Sequence, residues 1–330
     1  MKKIRVAING FGRIGRAFYK VAKENPEIEI VAVNDLTSLE NVSYLLKYDS
    51  VYGMSNYTLD GVKYISEKDP TRLPWKDLNI DIVVESTGLF TSSDKAQAHI
   101  VAGAKRVVVS APIKDEADSQ VKGQTVLMGM NEDLLSKCQI SSNASCTTNA
   151  GSPMLAILDE AIGIEKAMLN TVHAYTASQA IVDGPSKKDM REGRAAAQNI
   201  VPSSTGAAIA VTKVMTGLTG LFDGISIRVP VVAGSIVDVT FISKRNTSKE
   251  EVNELLKKAA SSDRWKGIFT VTEEDLVSSD IVGNPHASIA DLAFTRVVGG
   301  NLVKVLAWYD NEMGYTHTLV DHVIKAGQNI

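Results

Sequence analysis

The fold is decided by Ile4-Arg5-Val6-Ala7-Ile8-Asn9-Gly10-Phe11-Gly12-Arg13-Ile14-Gly15-Arg16, near the start of the chain. Its apolar beginning predicts a β-strand, and the residues from Arg13 to Lys23 predict a helix. Between them, Gly10, Gly12 and Gly15 form a GxGxxG pattern. Such glycines permit a tight turn and let the backbone approach a pyrophosphate, while the helix N-terminus offers N–H groups to that anion. The stretch therefore predicts a dinucleotide-binding turn, although the glycine pattern alone also occurs in ordinary turns.

An acidic residue at the expected distance strengthens this interpretation. Asp35 follows a second apolar run, Ile28–Val33, and lies about 20 residues after Gly15, as the dinucleotide-binding fingerprint requires. A carboxylate at this position accepts hydrogen bonds from the adenosine ribose hydroxyls and repels a 2′-phosphate. Alone, Asp35 could equally be a turn residue at a strand end. Together with the glycines it predicts NAD rather than NADP as the cofactor.

Length and composition restrict the class of protein. A chain of 330 residues exceeds what one hydrophobic core usually serves, so two domains are expected. Apolar residues make up 44% and charged residues 22%, with a net charge of −3 and both signs interspersed, which argues against nucleic acid as the main partner. No run of about 18 apolar residues suggests a membrane span, and no signal peptide is evident. We expect a cytoplasmic protein without a membrane partner.

The two halves of the chain carry different patterns. The first half alternates Val/Ile-rich runs with helical patterns, which predicts a parallel sheet covered by helices. In the second half long β-type runs follow one another, which predicts an antiparallel sheet. The expected fold is an α/β Rossmann domain plus an α+β catalytic domain with an antiparallel or mixed sheet. The expected boundaries are 1–148 for NAD binding, 149–313 for catalysis, and 314–330 for a C-terminal helix that returns to the first domain.

The two cysteines differ in their surroundings. Cys138 and Cys146 are eight residues apart, which is not a metal-ligand spacing, and no metal is expected. Small polar residues flank Cys146 at the start of a helical pattern over Thr147–Ala161, and a helix N-terminus stabilises a thiolate. Pro153 within this pattern implies a kink or a later helix start. His173 ends a β-type run and can act as a base at neutral pH. By themselves, a lone cysteine and a lone histidine are more often structural.

Ser145-Cys146-Thr147-Thr148-Asn149 resembles the active-site signature of the glyceraldehyde-3-phosphate dehydrogenase family. Other segments resemble that family in the same order and span almost the whole chain. They are Asn9–Arg16, Ser110-Ala111-Pro112, His173-Ala174-Tyr175-Thr176, Ser204–Ala208, Arg228-Val229-Pro230 and Trp308–Tyr315. The family is NAD-dependent and phosphorylating, and it is homotetrameric. The resemblance implies that glyceraldehyde 3-phosphate and inorganic phosphate are the substrates, and that the irregular segment 177–199 is a loop at a subunit interface.

The resemblance also implies a role for each matching residue. Cys146 would be the nucleophile that forms a thioester, and His173 the base. The implied phosphate-binding residues are Ser145, Thr147, Thr176, Arg194, Thr205, Gly206 and Arg228. The implied cofactor-binding residues are Gly10, Gly12, Arg13, Ile14, Gly15, Asp35, Lys68, Ser110 and Asn311, of which Asn311 would bind the nicotinamide carboxamide.

Some positions qualify the resemblance. Leu36 and Pro185 resemble the NAD-using branch of the family. Lys68 stands where many relatives have Arg, and Glu192 stands where several bacterial relatives have a phosphate-binding Arg, whose role Arg194 would inherit. Two alternatives stay open: an erythrose-4-phosphate dehydrogenase, which releases an acid by using water, and a redox or RNA-binding role without catalysis.

Overall fold

The computed structural model describes residues 3–115, 118–186 and 189–330, which form two compact units. One unit extends up to Ala144 and also includes Thr316–Ile330; the other is Ser145–Tyr315. The functional assignment of the three predicted segments 1–148, 149–313 and 314–330 stays a prediction. No helix in the described part of the chain is long and apolar enough to cross a membrane.

The first unit contains nine strands and three whole helices among its described residues. They are β1 (Ile4–Asn9), α1 (Arg13–Lys23), β2 (Ile28–Asn34), α2 (Leu39–Lys47), β3 (Tyr48–Asp49), β4 (Gly53–Met54), β5 (Lys63–Ile65), β6 (Ile82–Glu85), α3 (Ser93–Val101), β7 (Arg106–Val109), β8 (Gln124–Thr125) and β9 (Ile140–Ser142). Seven of these strands form a sheet in the order β5-β2-β1-β6-β7-β9-β8, and every pairing in it is parallel.

This sheet confirms the predicted Rossmann-type domain. Strand β1 lies between β2 and β6, so the strand order reverses at β1. The carboxyl ends of strands at such a reversal border the crevice in which doubly wound sheets bind ligands. The apolar runs account for the strands physically, since Val6, Ile8, Val83 and Val84 are fully buried between the layers.

The second unit has a mixed sheet and three whole helices among its described residues. Its elements are α4 (Cys146–Ile162), β10 (Ile164–Ala174), β11 (Val201–Ser204), α5 (Ala207–Val214), β12 (Phe222–Val229), β13 (Ser235–Ser243), α6 (Lys249–Ala260), β14 (Phe269–Thr272), β15 (Ser288–Val298) and β16 (Leu302–Tyr309). The strand order is β11-β12-β10-β13-β16-β15-β14. Most pairs are antiparallel, but β10–β12 and β14–β15 are parallel. The mixed sheet that was predicted as one alternative is thus confirmed.

The last helix, α7 (Met313–Gly327), begins in the second unit and continues into the first. Within the first unit, His322 Nε2 lies 2.8 Å from Ser141 Oγ, and Asn143 Nδ2 donates to Thr318 Oγ1 at 3.1 Å. The Arg106 guanidinium donates to the Asn329 carbonyl at 2.8 Å. These bonds attach the C-terminal residues to the parallel sheet at β7 and β9.

Candidate active site

Two of the predicted glycines are required by the geometry of the first turn. Gly10 has φ +93°, and a Cβ there would lie 2.6 Å from the Thr87 backbone nitrogen. A Cβ on Gly15 would lie 2.1 Å from the Gly10 carbonyl oxygen. Gly12 differs, because a Cβ there would meet nothing within 4 Å, and Gly12 is the N-cap of α1 without a capping side chain. The turn therefore leaves open space at the helix N-terminus, where an anion is stabilised.

Asp35 is held in place by the same turn. Its Oδ2 accepts the Phe11 N–H at 2.7 Å, and its Oδ1 accepts the Thr37 N–H at 2.9 Å. Burial works against ionisation, yet these two N–H donors hold the pKa of Asp35 below its usual value. The carboxyl group is therefore ionised at neutral pH, as recognition of ribose hydroxyls requires.

A crevice with a cavity of about 330 Å³ lies at these strand ends. Of the predicted cofactor residues it is lined by Gly10, Gly12, Asp35 and Lys68. Sequence reasoning missed Asn34, Glu67, Ser86, Thr87 and Phe90, which also line it. The available signal was the rule that ligands bind at the carboxyl ends of parallel strands, because Asn34 ends β2 and Ser86 follows β6.

The other predicted cofactor residues lie elsewhere. Arg13, Ile14 and Gly15 form the first turn of α1, where the Arg13 guanidinium pairs with Asp49 at 3.2 Å. The Ser110 hydroxyl, after β7, donates to the Glu85 carbonyl oxygen at 3.0 Å.

A buried polar network supports the ends of β1, β2 and β6. Asn9 Nδ2 donates to Glu85 Oε2 at 2.6 Å, and Asn34 Nδ2 donates to Asn9 Oδ1 at 2.7 Å. His99 Nε2 lies 3.0 Å from the same Glu85 oxygen, and the Trp75 indole N–H donates to His99 Nδ1. An indole N–H can only donate, so His99 carries its proton on Nε2 and donates it to Glu85.

In the second unit, Cys146 is the first residue of α4. Ser145 is the N-cap, and its hydroxyl accepts the Thr148 N–H at 3.1 Å. The helix includes Pro153, so the expectation of a later helix start is wrong; the N-cap and the buried face of α4 outweigh the backbone hydrogen bond that proline removes. The sulfur thus lies at the positive end of a helix of 17 residues.

The structure brings His173 and Arg228 to this sulfur. His173 Nε2 lies 3.4 Å from Cys146 Sγ, and His173 Nδ1 lies 2.6 Å from the Ala174 carbonyl oxygen. Arg228 Nη1 lies 2.5 Å from His173 Nδ1, because Arg228 and His173 are opposite each other in the parallel pair β10–β12. The Ala174 carbonyl oxygen can only accept and the Arg228 guanidinium can only donate, so these two contacts favour opposite tautomers of His173. In the tautomer with Nδ1–H donated to Ala174, Nε2 can accept the thiol proton, which is the arrangement that a general base requires.

The electrostatics of this pair favour neutral groups. Burial raises the pKa of the Cys146 thiol, although the Arg228 charge and the Thr147 backbone N–H act in the opposite direction. Burial, together with the Arg228 charge, lowers the pKa of His173 to about 3. Burial therefore favours a thiol next to a neutral imidazole, whereas the helix N-terminus favours the thiolate. The proton would move to His173 as the sulfur attacks.

A hydroxyl network behind the thiol was not found from the sequence. The buried Tyr309 hydroxyl lies 2.9 Å from Thr147 Oγ1 and 2.8 Å from Thr171 Oγ1, and its ring packs edge-on against His173 with ring centroids 5.9 Å apart. Burial strongly raises the pKa of Tyr309, so it stays a neutral phenol. Thr147 therefore directs its hydroxyl to Tyr309. Finding this contact requires the strand register, which local sequence patterns do not supply.

The remaining predicted residues have varied surroundings. Thr176 Oγ1 bonds Ser178 Oγ at 3.0 Å, Thr205 Oγ1 accepts the Ala207 N–H at 3.2 Å, and Gly206 is the N-cap of α5. Asn311, which belongs to the second unit, accepts a hydrogen bond from the Ser235 hydroxyl at 3.0 Å. Exposed Arg194 pairs with Asp183 at 2.9 Å. No group of three or more possible metal ligands occurs among residues 3–115, 118–186 and 189–330.

The first unit has a dinucleotide-type crevice and the second has a thiol next to an imidazole, and both features are typical of dehydrogenases that use a cysteine nucleophile. Comparison with known proteins identifies the family. Residues 4–93 match the glyceraldehyde 3-phosphate dehydrogenase NAD binding domain, and residues 145–311 match the C-terminal domain of the same family. The chain belongs to the glyceraldehyde 3-phosphate dehydrogenase family.

Curated proteins support this membership over the full length. The chain is 46% identical to glyceraldehyde-3-phosphate dehydrogenase 2 of Streptomyces avermitilis, with 99% of each chain covered. It is 47% identical to the glyceraldehyde-3-phosphate dehydrogenase of Borreliella burgdorferi, over 96% of this chain and 98% of that protein. It is 46% identical to the enzyme of that name from Mycobacterium avium, with 99% of each chain covered. The predicted family and NAD as the cofactor are confirmed.

Proposed function

We propose that this protein catalyses the NAD-dependent, phosphorylating oxidation of D-glyceraldehyde 3-phosphate to 1,3-bisphosphoglycerate, in glycolysis or gluconeogenesis. The observation that carries the proposal is the 3.4 Å contact between Cys146 Sγ and His173 Nε2 at the N-terminus of α4. A thiol with an adjacent base is the arrangement of a covalent nucleophile.

The first step is addition of the Cys146 thiol to the aldehyde carbon. A C–S bond forms and the thiol proton is transferred through His173, which gives a thiohemiacetal. The N–H groups at the start of α4 stabilise the negative charge that develops on the substrate oxygen. His173 then takes the hydroxyl proton of the thiohemiacetal, so that the carbon can lose a hydride and become a thioester.

NAD supplies the hydride acceptor when it is bound. The first unit suits this cofactor, because open space lies at Gly12 in front of the N-terminus of α1, and Asp35 presents a fixed carboxylate to the crevice. Gly12, Arg13, Ile14, Gly15, Lys68 and Ser110 are the further proposed contacts, with Asn311 on the nicotinamide carboxamide.

The second step transfers the acyl group to inorganic phosphate. A phosphate oxygen attacks the thioester carbon, the C–S bond breaks, and an acyl phosphate leaves while the sulfur is regenerated. Arg228 supplies the positive charge for phosphate, and hydroxyls and backbone N–H groups supply further donors. The proposed phosphate ligands are Ser145, Thr147, Thr176, Arg194, Thr205, Gly206 and Arg228.

The protein is also proposed to be a cytoplasmic homotetramer. Apolar side chains on the second sheet support self-association, since Met168, Ile225 and Leu302 are each more than 40% exposed. A cavity of about 800 Å³ along this surface includes Met168 and Leu302. Exposed apolar patches of this kind mark protein interfaces. A mass measurement in solution that gives a monomer would contradict this assembly.

The test of the activity is NADH production from glyceraldehyde 3-phosphate with and without inorganic phosphate. We expect phosphate-dependent turnover in the wild type and its essentially complete loss in Cys146→Ser. Cys138→Ser is the matched control, since Cys138 lies outside the site, and it should retain turnover. Turnover without any phosphate requirement would instead indicate an aldehyde dehydrogenase that uses water, such as an erythrose-4-phosphate dehydrogenase.

A further inference from the structure

Glu192 brings a carboxyl group to the sheet face that carries the catalytic pair. The Ser203 hydroxyl donates to Glu192 Oε1 at 3.0 Å. Ser203 lies opposite Ser226 in the antiparallel pair β11–β12, and Arg228 lies opposite His173 in the parallel pair β12–β10. Residues opposite each other, and residues two apart on one strand, point to the same face of a sheet. Ser203, Arg228 and His173 therefore project from one face.

This register places Glu192 within electrostatic range of Arg228. Ser203 is a diagonal neighbour of Arg228, a spacing of about 7–8 Å between neighbouring strands. The Ser203 hydroxyl therefore holds the Glu192 carboxyl group beside the strand that carries Arg228. The Ser203 side chain is buried, with 7% of its surface exposed, which reduces screening by salt. Glu192 is also linked to the strand that leads directly to Thr205 and Gly206.

A small cavity adjoins the same carboxyl group. It measures about 320 Å³ and is lined by Glu192, Gln179 and Ser178 among others. Gln179 is only 7% exposed, and its Oε1 accepts the Thr176 N–H at 3.3 Å. Its Nε2 has no hydrogen-bond partner among the residues that the structure describes. A ligand oxygen that accepts a hydrogen bond from Gln179 Nε2 would thus share this cavity with the Glu192 carboxyl group. An anion there would be repelled, and a neutral molecule would not.

We infer that Glu192 determines specificity for the acyl acceptor by weakening the binding of the attacking phosphate dianion. The inference rests on the proposed function, because it concerns the second step of that reaction. Arg228 attracts phosphate and Glu192 opposes it, so the thioester reacts with phosphate only at a raised phosphate concentration. A neutral acceptor such as water is not repelled. Glu192 acts on binding of the acceptor and takes no part in bond making.

The test compares Glu192→Gln and Glu192→Arg with the wild type at varied phosphate. Glu192→Gln should lower the phosphate KM by about twofold or more, because it removes a unit charge that repels the phosphate dianion even after screening by salt. Glu192→Arg should lower it further. The KM for the aldehyde should change less than the phosphate KM in both variants. Glu160→Gln, which removes an exposed charge paired with Arg264, is the matched control and should leave the phosphate KM unchanged.

The outcomes separate this inference from the proposed function. An unchanged phosphate KM in folded Glu192→Gln and Glu192→Arg, with phosphate-dependent turnover intact, overturns the inference alone. If the wild type turns over without phosphate and only Glu192→Arg gains phosphate dependence, the proposed function fails and the inference stands. If neither the wild type nor Glu192→Arg responds to phosphate, both fail. Thermal unfolding of each variant shows whether it is folded.

Discussion

Cys146 Sγ and His173 Nε2 lie 3.4 Å apart, although 27 residues separate them in the chain. The contact forms because α4 begins at Cys146 and the following strand, β10, runs back and ends at Ala174, next to His173. Burial favours the neutral form of both groups, since it raises the pKa of the thiol and lowers that of the imidazole to about 3. The imidazole would therefore accept the thiol proton only when the sulfur attacks the substrate.

Replacement of the imidazole tests this role directly. In His173→Asn the side chain remains polar but cannot take the thiol proton at neutral pH. We expect turnover to fall by roughly 10²–10⁴-fold, the usual contribution of general acid–base catalysis. Alkylation of Cys146 by iodoacetamide at neutral pH should also slow. If the alkylation rate matches that of the wild type, His173 does not assist the thiol.

The sequence predicted the elements with strong local patterns. The observed helix α1 spans Arg13–Lys23, as expected, and the apolar residues before it form the expected strand β1. Short elements such as β8 and α2, and the long strand β15, were not predicted. A two-residue strand is too short to show a hydrophobic period. The polar residues in β15 interrupt the apolar pattern by which a strand is recognised.

The site was only partly accessible from the sequence, for a similar reason. Cys146, His173 and Arg228 could be named from motifs, but their distances depend on strand register. Tyr309 contacts Thr147 and Thr171 across 162 and 138 residues of chain, respectively, so no local signal reveals the network. The position of Glu192 on Ser203 depends in the same way on the pairing of β11 with β12.

A second histidine should make the stability depend on pH. Burial lowers the pKa of His322 to about 3, whereas the unfolded chain has the ordinary value of about 6.5. Between these values only the unfolded state binds the proton, so the free energy of unfolding falls as pH falls below about 6.5. Above about pH 6.5 the contribution of His322 to the free energy of unfolding does not change with pH.

His322→Gln isolates this contribution. The variant should be less stable at neutral pH, because the contacts with Ser141 and Asn143 are perturbed. Between about pH 6 and pH 4, the free energy of unfolding of the variant should nevertheless fall less steeply than that of the wild type. The difference between the two slopes should be up to ~1.4 kcal/mol per pH unit. Urea unfolding at several pH values measures both quantities. Parallel pH curves for the variant and the wild type would show that His322 is not kept neutral by folding.

Replacement of Arg228 should weaken substrate binding more than it changes the reactivity of the Cys146 thiol. Its guanidinium is proposed to hold a phosphate group, and charge-assisted hydrogen bonds contribute about 1.5–3 kcal/mol. Arg228→Gln should therefore raise the KM for glyceraldehyde 3-phosphate by about 10–100-fold. Steady-state kinetics with unphosphorylated glyceraldehyde provides the control, because that substrate should lose much less. Equal losses for both aldehydes would mean that Arg228 does not bind the substrate phosphate.

Asp35 should determine the choice between NAD and NADP. Asp35→Asn removes the charge that repels a 2′-phosphate while keeping one oxygen for the Phe11 N–H. We expect the ratio of kcat/KM for NADP over NAD to rise by about tenfold or more, since a lost unit charge at close range is worth more than about 1 kcal/mol. The control is Asp60→Asn, an exposed acid of the same unit, for which the ratio should stay constant.

Gly10→Ala and Gly12→Ala should affect different properties: the first should lower stability, and the second should weaken NAD binding. At Gly10 the new Cβ would lie 2.6 Å from the Thr87 nitrogen, and φ is +93°, so we expect Gly10→Ala to lower the free energy of unfolding by several kcal/mol. At Gly12 the Cβ has open space, so Gly12→Ala should fold with nearly wild-type stability. It should nevertheless bind NAD more weakly, because its methyl group occupies the space where a pyrophosphate approaches the helix N-terminus. Thermal unfolding and NAD titration of both variants measure the two effects. Unchanged NAD affinity in Gly12→Ala would show that the pyrophosphate does not lie at this turn.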